Sequence, residues 1–64
     1  MLRDSRDIIK RLERDGFRLV GVRGSHHKFR HPASNRMTIV THPKRDLLVG
    51  TVKAIYRQAG RERD

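Results

Sequence analysis

The chain has 64 residues, room for one domain with a thin core, because a domain of this size buries only about 60% of the surface that its unfolded chain exposes. It has no cysteine, which excludes a disulfide framework or thiolate metal site and fits a reducing cytoplasm, and its longest apolar runs, such as Leu47-Leu48-Val49, are far too short for secretion or a membrane span. Sixteen Lys and Arg against seven Asp and Glu leave a formal charge of +9, which favours a polyanion, nucleic acid first, through phosphate contacts and counterion release.

Ile8, Ile9 and Leu12 are spaced as one apolar stripe of a short helix over residues 4–15, with Asp4 as N-cap, Asp7 in the first turn and Gly16 closing it. Residues 17–22, with Phe17, Val20 and Val22 aromatic or β-branched and Gly21 interrupting any helix, predict a strand, and Arg23-Gly24-Ser25 reads as the turn after it. A second extended segment over residues 26–31 sets Phe29 with His27 and His31 towards the core and His26, Lys28 and Arg30 on the other side. Pro32-Ala33-Ser34-Asn35 is a turn by composition, and residues 36–41 predict a third strand with Met37 and Ile39 facing the core.

Past the loop His42-Pro43-Lys44-Arg45-Asp46, the spacing of Leu48, Val52, Ile55 and Ala59 predicts an amphipathic helix with Tyr56 at the edge of its stripe and Gly60 as C-cap. Helix, three strands, helix is an α+β order in which both helices cover one face of a three-stranded antiparallel sheet and leave the other to solvent or ligand. It is the order of a double-stranded-RNA-binding domain. The expected domain runs over residues 1–60, with a disordered tail at 61–64.

Arg23-Gly24-Ser25-His26-His27-Lys28-Phe29-Arg30 sets a histidine at a turn-to-strand junction among cations. Imidazole, with an ordinary pKa of about 6.5, exchanges protons near neutral pH, and Lys or Arg stabilises charge developing on phosphate. His26 is the candidate, because strand alternation groups it with Lys28 and Arg30 rather than with the core. The competing reading makes it an ordinary exposed histidine on a non-catalytic double-stranded-RNA-binding module, and a third makes the chain a basic subunit that only docks on an acidic protein. Two Phe and one Tyr are too few for a sheet that stacks single-stranded bases.

Neither a metal nor any other cofactor is expected. His27 and His31 share a strand face about 13 Å apart at the usual rise, and His26 and His27 point to opposite faces. A pair of His26 with a folded-back His42 lacks a carboxylate or thiolate pattern to complete it. The chain has no P-loop, no Gly-x-Ser-x-Gly elbow and no cysteine nucleophile, and Ser25 beside His26 is a turn former rather than part of a triad.

Asp15-Gly16-Phe17, the stretch from Arg23 through Gly24-Ser25-His26 to Pro32, His42-Pro43-Lys44 and the closing Gln58-Ala59-Gly60 together resemble the HicA family of toxins over nearly the whole chain. The resemblance implies a double-stranded-RNA-binding-like fold that cleaves messenger RNA, stops translation and is held inactive by a HicB-type antitoxin from the same operon. The family's catalytic histidine lies in Gly-Ser-His, which is His26 here, with Arg23, Gly24, Ser25, Lys28 and Arg30 as the expected RNA contacts. Thr41 stands before His42 where relatives often have proline, a departure in the loop and not in the histidine.

Overall fold

A computed structural model of the chain describes residues 2–60, so the tail expected at 61–64 lies outside the described residues. Its elements are α1 (Ser5–Arg14), β1 (Arg18–Arg23), β2 (His26–Arg30), β3 (Met37–Thr41) and α2 (Val49–Ala59). The strands form one antiparallel sheet in the order β1-β2-β3, the expected α+β architecture of a double-stranded-RNA-binding-like domain.

Asp4 caps α1 as expected: its backbone is extended and its carboxylate accepts the Arg6 N–H at 2.9 Å, satisfying a donor the helix leaves orphaned. The chain leaves α1 through Gly16 at φ +98°, where any L-residue would be strained and a Cβ would come within 2.9 Å of His31 Nε2, so that the His31 ring would have to shift. Phe17 then turns inward and meets the His31 ring edge-on at 5.2 Å. Gly60, also left-handed at φ +71°, ends α2.

The core lies between the helices and one face of the sheet. Ile8 and Leu12 of α1 and Val52, Ile55, Tyr56 and Ala59 of α2 close over Phe29 and Val40, with Phe17 and Leu47 filling the ends. Both helices therefore cover one sheet face. No residue of β1 belongs to this cluster, so β1 overhangs the helical layer, and Leu19 and Val22 stay exposed although they pair with core-side residues.

Two expectations are corrected. Met37 and Ile39 do not face the core: they are 42% and 49% exposed, and Thr38 and Val40 are buried instead. Directly opposed residues of an antiparallel pair share a face, and the register sets Thr38 against Phe29 and Val40 against His27. Burial of Thr38 is tolerable because its hydroxyl donates to Gln58 Oε1 of α2 at 2.8 Å. Leu48, expected in the stripe of the second helix, is 71% exposed and Leu47 takes the core place. The backbone is still extended at Leu48, and Leu47 is held inward by exchanging bonds with Arg3, its N–H to the Arg3 carbonyl at 2.9 Å and its carbonyl accepting Arg3 Nε at 3.1 Å.

Candidate functional site

The uncovered sheet face is three rows of three residues. Arg18, Arg30 and Met37 form one row, Gly21, Lys28 and Ile39 the next, and Arg23, His26 and Thr41 the last. None of these nine positions is acidic and four carry a full positive charge, so the field of this face is uniformly attractive to phosphate.

Arg18 and Arg23 share this face only because β1 is bulged. They are five positions apart, which in a regular strand sets side chains on opposite faces, but the pairing skips a position between Leu19 and Gly21 and restores the parity. Sequence reading singled out Arg23 but missed Arg18, because a bulge is a property of the pairing.

His26 opens β2 directly after the two-residue link Gly24-Ser25. Gly24 takes φ +58°, the positive dihedral that a type II′ hairpin turn requires at its first position and that leaves Ser25 an ordinary backbone. The hairpin thus delivers His26 to the exposed end of the sheet, between the Cα partners Arg23 on β1 and Thr41 on β3. Gly21, Val22, Arg23, His26, Lys28 and Ile39 line one open depression of about 500 Å³.

Of the expected contacts, Arg23, His26 and Lys28 come together there, whereas Gly24 and Ser25 form the link between β1 and β2 and do not line it. Nor does Arg30. It lies four residues along β2 from His26, about 13 Å at the strand rise, and its Nε donates to Asn35 Oδ1 at 2.6 Å in the β2–β3 loop. Arg30 is a remote cation on the same face.

Behind the turn lies a polar assembly that sequence reading missed. The Ser25 carbonyl, one bond before the His26 amide, accepts the His42 N–H at 2.8 Å and the Nδ1–H of His27 at 3.3 Å. The His27 and His42 rings meet edge to face with centroids 5.0 Å apart. His42 Nδ1 is in turn 2.7 Å from the hydroxyl of Ser5, a fully buried residue whose Oγ also accepts the Lys44 N–H at 2.9 Å. Ser5 N–H donates to the Lys44 carbonyl at 2.8 Å, completing a lock between the start of α1 and the β3–α2 loop. His42 therefore braces the turn from the core side and does not join His26.

The family model described as the HicA toxin of bacterial toxin-antitoxin systems matches residues 5–60, from the start of α1 to the glycine that ends α2. No curated protein matches the chain.

Proposed function

The chain belongs to the HicA toxin family, and from that premise we propose that it is an endoribonuclease that cleaves messenger RNA in the cytoplasm without a metal and so stops translation, restrained by a HicB-type antitoxin. The observation that carries this reading is His26 itself, an exposed imidazole in an acid-free, cationic depression at the braced end of the sheet. RNA backbone lies across the open face, with Arg23 and Lys28 on the phosphates at the reacting step and Arg18 and Arg30 further along. His26 takes the proton of a ribose 2′-hydroxyl as its oxygen attacks the adjacent phosphorus. The bond from phosphorus to the 5′-oxygen breaks, water protonates that leaving oxygen, and the products are a 2′,3′-cyclic phosphate and a free 5′-hydroxyl. Arg23 and Lys28 stabilise the charge that builds on the phosphoryl oxygens.

Cleavage of a long RNA by the chain and by His26→Ala, in EDTA and with both proteins checked for folding by circular dichroism, tests enzyme and residue together. The variant is expected to lose about 100-fold or more in rate, the contribution of a positioned acid–base group, and DNA lacking the 2′-hydroxyl is expected to resist. Equal cleavage by both proteins moves the chemistry away from His26. Salt-sensitive RNA binding without cleavage by either leaves a non-catalytic RNA-binding module.

A further inference from the structure

The outer edge of β3 pairs with no other strand among the described residues. His31 N–H donates to the Arg36 carbonyl at 2.9 Å and His42 N–H to the Ser25 carbonyl at 2.8 Å, which brackets the ladder between β2 and β3. With Phe29 opposite Thr38 and His27 opposite Val40, alternate pairs exchange the bonds, so Thr38 and Val40 turn their amides and carbonyls towards β2. Met37, Ile39 and Thr41 then direct theirs outward. Edge strands of this kind are ordinarily blunted by charge, proline or a bulge. The opposite edge, β1, carries Arg18 and Arg23 and the bulge at Val20, whereas Met37-Thr38-Ile39-Val40-Thr41 carries none of these devices.

Beside this edge runs a groove of about 620 Å³ whose α2 wall includes Gly50 and Ala54, side chains small enough to leave room for another strand. Lys28 and Ile39 line both this groove and the depression that holds His26. We infer that the antitoxin docks here, an extended acidic segment of that protein pairing with β3 as a fourth strand of the sheet. The inference rests on the toxin reading above and names how that same site is restrained.

Charge selects the occupant. A second copy of the chain brings another +9 to the contact, whereas an acidic strand neutralises the face it joins. Alternation then dictates its pattern, because successive side chains of an added strand point to opposite faces. Acidic residues on the open side reach for Lys28 and the His26 row, and apolar residues on the other side enter the groove against Gly50 and Ala54. The partner's backbone supplies affinity and its carboxylates compete with RNA phosphate.

Amide hydrogen exchange of the chain alone and in complex with the HicB-type antitoxin of its operon tests this. Slowing of exchange by at least about tenfold at Met37, Ile39 and Thr41, with no change at Val20, is the expected result. A complex that forms while those three amides exchange at the free rate overturns the inference, as does failure of the two proteins to associate. A chain of 64 residues is also within reach of chemical synthesis, so Ile39 can be N-methylated, removing one outward donor and leaving every side chain in place. An N-methylated chain that melts like the wild type is expected to bind the antitoxin at least about tenfold more weakly, and unchanged binding overturns the inference. RNA cleavage by the wild type and by His26→Ala is read without antitoxin, so failure of the ribonuclease reading is seen separately.

Discussion

Gly24 and Ser5 act on His26 from opposite sides, one through the turn that delivers it and the other through the brace behind that turn. A Cβ at Gly24 meets no neighbouring atom within 4 Å, so its replacement is a pure test of backbone conformation. Holding an L-residue at φ +58° costs roughly 1–2 kcal/mol. Gly24→Ala is therefore expected to destabilise the fold by about that amount in urea titration and to lower cleavage further than the lost stability explains, since the turn relaxes by moving His26. A destabilised variant with wild-type cleavage per folded molecule sinks that link. Ser5→Ala removes the partner of His42 Nδ1 and of the Lys44 N–H in a fully buried position. Leaving buried polar groups unsatisfied costs about 1–3 kcal/mol each, so a drop in urea midpoint of that order is expected, and Ser5→Thr, which keeps the hydroxyl, separates hydrogen bonding from packing.

Element by element, what the sequence disclosed depended on whether local chemistry or long-range pairing decided the outcome. The helix ends were legible because caps are local: Asp4 presents a carboxylate to the next turn, and Gly16 and Gly60 supply left-handed residues where the chain must leave the helix. The carboxyl of Asp4 is held below its ordinary value near 3.8 by the Arg6 side chain that hydrogen-bonds it, then by the Arg6 amide. A depressed carboxylate contributes stability above its unfolded pKa and loses it as pH falls through the folded value. Asp4→Asn is accordingly expected to flatten the acid limb of a melting-temperature profile below about pH 4, and an unaltered limb excludes the pairing with Arg6 as its source. His26 was legible for a related reason, since Phe29 is an unambiguous core residue three positions away and parity alone sends His26 to the other face. The third strand offered no such anchor. Met37, Ile39 and Val40 are all apolar, and the register that buries Thr38 is set by pairing with β2 and by Gln58, twenty positions away. Arg18 and the Ser5–His42 contact were invisible on the same principle, one depending on a bulge and the other joining residues 37 positions apart. Exchange of Arg18, Arg23 and Lys28 for Ala tests the face as a unit. With His26→Ala as the non-cleaving background, the slope of log affinity against log salt should shrink by about 0.7 for each phosphate of single-stranded RNA that is no longer neutralised, and an unchanged slope puts RNA elsewhere.

At the scale of the whole molecule, charge acts on folding and on binding with opposite sign. A net +9 on described residues spanning only 29 × 27 × 17 Å makes the folded state repel itself, since folding brings the cations closer than the extended chain holds them. Two of the ion pairs do little to offset this: Arg3–Asp46 and Arg6–Asp4 lie at the surface, where such pairs contribute about 0–1 kcal/mol, and only Arg11–Asp15, 3.3 Å apart on one face of α1, is more enclosed among the pairs of the described residues. Screening decides how far the repulsion reaches. The Debye length is about 30 Å at 0.01 M salt, the full width of the molecule, and about 8 Å at 0.15 M, where only neighbouring charges interact. Raising sodium chloride over that interval should therefore raise the melting temperature of the free chain while lowering its affinity for RNA, because screening relieves self-repulsion and counterion release ceases to favour binding. RNA bound as proposed would do for the fold what salt does, by neutralising the open face, and would add stability by mass action. The melting-temperature gain from a saturating non-cleavable RNA should thus be largest at low salt and shrink as salt rises. A melting temperature that is flat or falls with salt would mean that repulsion among these cations is not what limits the stability of the free toxin, and the case for a neutralising acidic strand at β3 would weaken with it.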